Sequence, residues 1–436
     1  MTAELKPPLT AEEAMAESYR CLLCGGPYAQ APCVVACPSE VDIPGFIAAI
    51  GEGDARRAGE IVFAHNPLGG TCARVCPTEV LCEAACVLVH EGQRAVDIGR
   101  LQRYATDALL AAPAPSPAPA PAGRRVAVVG AGPAGMACAA RLAELGYAPT
   151  VFDERPEEGG LVRYAIAPYR ELADPLPAER RRLEALGVRF VFGHRIDGPQ
   201  ALRALEAEFD AVFLGVGMGE DSSAGIEGEH LPGVWTSLPF IEAIKAGRLP
   251  EVGARVAVIG GNTAMDVARE AVRLGAREVT VLYRRTEAEM PAFRHEVEEA
   301  KAEGVRFSWL TAPLRFVGRD RLEAVECRYM RLGEPDASGR RRPEPVPGTE
   351  FLLPVDTAVE AIGQRPRAEF AQWIEGLRFE GGRIACDPAT GQTDNPRYFA
   401  GGDDVNGGDT VVEAVRWGKA AAEGIDRYLR AGGSGR

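Results

Sequence analysis

The stretch RRVAVVGAGPAGMACAARLAELGYAPTVFDE, residues 124–154, decides the fold. Val126–Val129 form a short apolar run of the kind that makes a buried strand. Gly130, Gly132 and Gly135 follow at once as G-x-G-x-x-G, then an amphipathic helix, then a second strand that ends at Asp153. Glycines at this spacing permit a tight turn and let a pyrophosphate approach the helix N-terminus. Asp153 stands 23 residues after Gly130, where a carboxylate can bind ribose hydroxyls. An ordinary glycine turn is the competing reading, but it leaves the strand, the helix and the acid unexplained.

The same order of strand, turn, helix and strand returns in ARVAVIGGNTAMDVAREAVRLGAREVTVLYRR, residues 254–285. Two copies of one nucleotide-binding unit imply two nucleotide cofactors. The second copy is shortened: only Gly260 and Gly261 precede Asn262 and Thr263. Its second strand ends in Arg284 and Arg285, where a site for NADH usually carries an acid. Two guanidiniums suit a 2′-phosphate, so NADPH is expected over NADH. The competing reading is a solvated basic pair at a strand end.

Working outward, AAPAPSPAPAPAG (111–123) is an Ala/Pro run that cannot pack a core and reads as a semi-rigid linker. Before it lies a helical head with eight of the eleven cysteines. They fall in two groups, CLLCGGPYAQAPCVVACP (21–38) and CARVCPTEVLCEAAC (72–86), spaced C-x2-C-x8-C-x3-C-P and C-x3-C-x5-C-x3-C. Structural zinc sites favour paired C-x2-C knuckles or Cys/His sets. Only Cys21 and Cys24 form a knuckle, and His65 and His90 stand alone. Eight thiols beside two nucleotide sites favour two 4Fe-4S clusters, with zinc as the alternative. No C-x-x-C lies in the body, which argues against a disulfide reductase.

The 436 residues are 46% hydrophobic and 25% charged, with a net charge of −13. An acidic balance weighs against nucleic-acid binding. No apolar run has the length of a membrane span, and the N-terminus lacks an apolar signal core. A cytoplasmic location is therefore expected, with no membrane and no nucleic-acid partner.

Several segments carry a resemblance. EEGGL (157–161) and YFAGGDDVNGGDTVVEAVRWGKAAA (398–422) resemble flavin motifs of the glutathione-reductase-like superfamily, and AIGQRP (361–366) its crossing segment. The likeness implies FAD at the first site, with Asp403 facing the ribityl chain and the helix that begins near Thr410 pointing its positive end at the flavin ring. APCVVACPSEVDIPGFI, NPLGGTCARVCPTEVLCEAAC, VDIGRLQRYATD, GAGPAGMACA, NTAMDVAR and FAGGD resemble, in order, the electron-input module shared by dihydropyrimidine dehydrogenase and the glutamate synthase small chain. That module passes electrons from NAD(P)H through FAD and two 4Fe-4S clusters to a partner carrying FMN. The expected partner is a dihydroorotate-dehydrogenase-like barrel or a glutamate synthase large chain. IGRLQRYATD, with Gln102, leans to the pyrimidine branch, which reduces uracil or thymine. YRRTEAEMPAFRHEV and GEPDASGRRRPEPVPGTEF lean to glutamate synthase. The pyrimidine branch is the expectation and glutamate synthase the alternative. The chain ends after the input module, which is expected of a split enzyme. The insertion YAQA between Cys24 and Cys33 fits neither branch.

The resemblance further implies a domain plan and a ligand set. A helical iron–sulfur domain covers 1–110, the first part of an FAD-binding domain 124–222, a NAD(P)H-binding domain 223–363, and the second FAD part 364–436. The overall class is α/β, glutathione-reductase-like. Flavin residues would be Gly130, Gly132, Gly135, Asp153, Gly160, Leu161, Arg170, Gly402, Asp403 and Thr410. Dinucleotide residues would be Gly261, Asn262, Thr263, Arg284, Arg285 and Arg294. Cys21, Cys24, Cys33 and Cys86 would hold one cluster. Cys37, Cys76, Cys82 and the Gln102 side chain would hold the other, leaving Cys72 as a small buried hydrophobe. Four local thiols per cluster, with Cys72 a ligand, is the alternative. No side chain is expected to act as a general acid or base, because hydride transfer depends on geometry.

Overall fold

The computed structural model describes residues 4–26, 28–113, 123–335 and 341–433. Most of the Ala/Pro linker therefore lies outside the described residues, as does part of the GEPDASGRRRPEPVPGTEF segment. The chain divides into two compact units.

The larger unit comprises residues up to Arg163, Arg170–Met218 and Pro366–Arg436. Its N-terminal head is all helical: α1 (Ala11–Ser18), α2 (Pro32–Val35), α3 (Ile43–Gly51), α4 (Ala55–His65), α5 (Gly69–Val75), α6 (Val87–His90) and α7 (Ile98–Leu110). Side chains start these helices where the sequence supplies a cap. The Thr10 hydroxyl accepts from Glu13 N–H while the Glu13 carboxylate accepts from Thr10 N–H, a complete capping box. Asp42 and Asp54 cap α3 and α4. The head core is Ile43, Phe46, Ile47, Val62, Ile98 and Leu101, joined by Cys82 and Cys86.

The same unit continues as a parallel sheet. β1 (Arg125–Val129) pairs with β2 (Ala148–Phe152), which pairs with β3 (Arg189–Val191). On the other side β1 pairs with β4 (Ala211–Leu214), and β4 with the strand Tyr398–Ala400. Four of the five β1 residues are buried, as a strand covered on both faces requires. Helix α8 (Pro133–Glu144) follows β1 with its proline in the first turn, where a missing N–H costs nothing. The last helix, Val411–Arg430, packs along α8 so closely that a Cβ at Gly418 would lie 2.1 Å from the Ala134 carbonyl oxygen.

The smaller unit comprises Tyr164–Tyr169 and Gly219–Arg365. Its parallel sheet runs β5 (Val234–Thr236), then the strand Thr357–Ala361, β6 (Arg255–Gly260), β7 (Glu278–Tyr283) and β8 (Arg306–Trp309). An antiparallel sheet is built on β9 (Thr311–Val317), β10 (Ala324–Pro335), β11 (Arg341–Pro345) and β12 (Phe351–Pro354). The segments that enter and leave the unit pair with each other: Gly219 N–H donates to Arg365 O at 2.7 Å and Gln364 Nε2 to Gly219 O at 2.8 Å. The α/β class with a helical head is thus the fold present. Among the described residues no helix is long and apolar enough to cross a membrane.

Candidate functional site: two nucleotide turns and two cysteine-lined cavities

The first glycine turn is locked by its own backbone. Gly130 sits at φ +106°, and a Cβ there would lie 2.2 Å from Gly215 O. A Cβ on Gly135 would lie 1.9 Å from Gly130 O. Neither position accepts a side chain unless strand and helix separate. A Cβ on Gly132 would meet nothing within 4 Å. That open space before the N-terminus of α8 is what a phosphate needs. The EEGGL loop lies alongside: Gly159 N–H donates to Ala131 O at 2.8 Å, and a Cβ on Gly160 would be 3.0 Å from Gly132 Cα. Leu161 and Arg170 are half-buried in the same unit.

Asp153 uses both oxygens on backbone, accepting from Ala131 N at 2.6 Å and Arg155 N at 2.7 Å. Burial raises its pKa against those two bonds. Its lone pairs are not exhausted, since a carboxylate offers about four acceptor sites. It therefore shapes the turn as well as being available to a ribose.

The C-terminal motif folds back onto this turn. Gly402 has φ +97°, and a Cβ there would lie 2.9 Å from Ala134 Cβ in α8. Burial pushes Asp403 up to about 6, and the adjacent Asp409 charge pushes the same way. Asp404 is pushed further up by burial and by Asp403. It accepts from Val216 N at 3.1 Å, while its Oδ1 is buried without a partner among the described residues. Thr410 caps the 20-residue helix Val411–Arg430 by accepting from Glu413 N at 3.3 Å. The helix presents its positive end there. The donor set and open glycine cradle fit a bound dinucleotide such as FAD.

The second turn lies in the smaller unit. Asn262 and Thr263 are exposed at the start of the helix Thr263–Arg273, and a Cβ on Gly261 would meet Pro291 Cγ at 2.8 Å. Arg284 is exposed and Arg285 half-buried, with Arg285 Nε donating to Arg341 O at 3.1 Å. The Arg294 side chain is 91% exposed and pairs with Glu298 at 2.9 Å. Arginines at a strand end beside an open helix N-terminus fit a phosphorylated dinucleotide.

The head contains two cavities lined by thiols. The first is walled by Cys21, Cys24, Cys33 and Cys86, with Leu22 and Ile47. The second is walled by Cys37, Cys72, Cys76, Cys82 and Gln102, with Thr78 and Val412. Ile43 belongs to both walls. Each encloses roughly 370 to 390 Å³ of space free of atoms, part of it open to solvent. Thiols spread around such spaces suit a cluster with several irons. Burial raises the pKa of Cys21, of Cys33 to about 11, of Cys37 and of Cys82. For Cys76 the leading cause of the rise is its hydrogen bond with Cys72. Such thiols stay protonated until a metal displaces the proton, and among the described residues no three metal-ligating side chains are already gathered to hold a single ion.

Each cavity mixes the two sequence groups. Cys86 joins the first three cysteines of the earlier group, and Cys37 joins the later one. Cys72, expected to be a bystander, stands in the second wall. Gln102 stands there too, its Nε2 tied to Gly69 O at 2.8 Å so that Oε1 is left as acceptor.

Three charged residues that were not among the expected site residues join these parts. Glu179, fully buried on the helix Leu176–Ala185, holds the start of α5 through Gly70 N, Thr71 N and Thr71 Oγ1. Lys6 reaches Cys76 O and Thr78 Oγ1. Lys419 reaches Ser39 O and His65 O. Nothing in spacing or composition marks them.

Residues 1–113 match the family described as dihydropyrimidine dehydrogenase domain II, 4Fe-4S cluster. Residues 124–418 match the pyridine nucleotide-disulphide oxidoreductase family. The glutamate synthase [NADPH] small chain of Halomonas elongata is 40% identical, with 98% of this chain and 93% of that one covered. The NADP(+)-dependent formate dehydrogenase subunit beta of Moorella thermoacetica is 39% identical, over 93% of this chain and 61% of that one. Mycobacterium tuberculosis FprA in complex with NADPH shares the fold at a TM-score of 0.60 and 21% identity, covering 72% of this chain and 86% of that one.

Proposed function

The chain belongs to the pyridine nucleotide-disulphide oxidoreductase family, in the branch that carries a 4Fe-4S head, and from that premise we propose that it is the electron-input chain of an NADPH-dependent glutamate synthase. That it is an oxidoreductase using NADPH, FAD and 4Fe-4S clusters follows from the two families and the full-length relatives. The proposal adds the acceptor. The observation that carries it is the 40% identity to a glutamate synthase small chain over 93% of that protein. This favours the alternative over the pyrimidine branch. The dihydropyrimidine dehydrogenase family match covers only the head, and Gln102 is a single residue.

When bound, FAD accepts a hydride equivalent from NADPH and releases electrons singly to iron–sulfur clusters. The chain's own residues bind and orient. In this reading Gly130, Gly132, Gly135, Gly160, Leu161 and Gly402 shape the flavin cradle. Asp153, Arg170 and Asp403 would supply its polar contacts, and the helix capped by Thr410 would offer its positive N-terminal end to the bound group. Gly261, Asn262 and Thr263 receive the dinucleotide, with Arg284 and Arg285 on the 2′-phosphate and Arg294 beside them. Cys21, Cys24, Cys33 and Cys86 hold one cluster. Cys37, Cys76 and Cys82 hold the other, with Gln102 proposed as fourth ligand and Cys72 its competitor. Val412, in the first turn of the helix that begins at Thr410, lines the second cavity.

The test is reconstitution. Mixed with a glutamate synthase large chain, the protein should form glutamate from glutamine and 2-oxoglutarate at the expense of NADPH. No turnover there, together with uracil reduction when it is mixed with an FMN barrel subunit, would return the assignment to the pyrimidine branch.

A further inference from the structure

Two ammonium groups from opposite ends of the chain grip the second cysteine cavity. Lys6 Nζ donates to Cys76 O at 2.7 Å and to Thr78 Oγ1 at 2.8 Å, and both of those residues stand in the wall. Lys419 Nζ donates to His65 O at 2.8 Å and to Ser39 O at 3.1 Å. These carbonyls adjoin the wall residues Asn66 and Pro38. Lys419 follows Val412, itself in the wall, by seven residues of one helix, which places both on one face.

Neither lysine is explained by a buried acid. Lys6 is 8% exposed, and its ion-pair partner is Glu79 at 3.5 Å, whose side chain is 40% exposed. Lys419 makes no ion pair among the described residues. Burial lowers its pKa, and Glu40, the Cys37 thiol and Glu144 pull the other way. Drawing an ammonium from water onto neutral carbonyls is unfavourable unless negative charge lies near. A thiolate-bound cluster supplies that charge. The acids on this side are Glu40, Glu79 and Glu144 at the surface and Glu83, whose pKa burial raises. Both partners of Lys6, Cys76 and Thr78, line this cavity, and none of the residues that hold Lys6 or Lys419 lines the first one.

We propose that Lys6 and Lys419 are positioning residues that raise the reduction potential of the cluster in the Cys37/Cys76/Cys82 cavity, and leave the cluster in the Cys21/Cys24/Cys33/Cys86 cavity outside their reach. The inference rests on the cluster reading above. A fixed positive charge stabilises the reduced, more negative cluster, and the low dielectric of the interior lets it act strongly.

The experiment is a redox titration of the full chain, with FAD and both clusters present, followed by EPR. Lys419→Met and Lys6→Met should each shift one cluster's midpoint downward, the same cluster in both, and leave the other unchanged. Lys419→Arg and Lys6→Arg should keep the wild-type value. Unchanged midpoints in both Met variants, or equal shifts in both clusters, would overturn the proposal. So would loss of half the iron in both Met variants with the Arg variants intact, which would make the lysines structural supports. Wild-type protein that lacks iron would instead sink the cluster reading, and this is seen before any variant is made.

Discussion

Replacing Glu179 with glutamine tests how the head is joined to the flavin-binding part of its unit. The Glu179 carboxylate is fully buried. Oε1 accepts from Gly70 N at 2.8 Å and Thr71 N at 3.0 Å, and Oε2 from Thr71 Oγ1 at 2.6 Å. Those three bonds and Arg74 favour the ion, yet burial outweighs them and pushes the group from 4.5 to about 7. Below 4.5 it is protonated whether the chain is folded or not. Between 4.5 and about 7 the unfolded chain has lost the proton and the folded one keeps it, so stability falls as pH rises through that window. Above it the loss is constant. A shift of this size amounts to about 3 kcal/mol at pH 8.5 and about 1 kcal/mol at pH 5.5. Glu179→Gln keeps an acceptor for the two N–H groups and removes the ionisation. It should raise stability by up to about 1 kcal/mol at pH 5.5 and by up to about 3 kcal/mol at pH 8.5. Glu179→Ala strands all three donors at roughly 1–3 kcal/mol each, at both pH values. Thermal unfolding by circular dichroism under anaerobic conditions reads both. If glutamine destabilises at pH 8.5 as much as alanine does, the ionised carboxylate is needed and burial does not dominate.

Replacing both Arg284 and Arg285 with alanine should weaken NADPH binding about ten- to a hundredfold per lost contact, at roughly 1.5–3 kcal/mol for a charge-assisted bond. NADH should be little affected, and coenzyme titrations that fall equally would remove the phosphate clamp. Cys72→Ala should keep about eight irons per chain if Gln102 is the ligand, whereas loss of one cluster, with Gln102→Ala spectrally silent, would give the place to Cys72. Gly135→Ala, which sets a methyl 1.9 Å from Gly130 O, should release FAD at a small cost in iron; flavin and iron content read this directly.

The nucleotide units were legible because their chemistry is local. Val126–Val129, the glycines of 130–135 and Asp153 are neighbours in sequence, and a buried strand followed by a tight turn leaves few other residue choices. The shortened second turn still folds as strand, turn and helix. The sharing of cysteines between cavities was not legible from spacing. Cys37 and Cys86 each lie in the sequence group opposite to their cavity, and they meet it through the shared head core that holds Ile43 and Ile98. The resemblance implied that sharing, but it made Cys72 a bystander, whereas that residue lines the second wall. Gln102 pulled the expectation toward pyrimidine reduction. A residue facing a cavity speaks to the cluster and not to the acceptor, and the acceptor is better read from similarity spread along the chain. Lys6 and Lys419 were invisible because their role depends on contacts 70 and more than 350 residues away in sequence.

The most direct measurement is an anaerobic NADPH titration of the purified chain, with iron, flavin and zinc determined on the same sample. The account predicts one FAD and about eight irons per chain, with the flavin and iron–sulfur absorbance both bleaching as NADPH is added and cluster signals appearing by EPR. Zinc in place of iron, or a flavin that bleaches while the clusters stay oxidised, would contradict it.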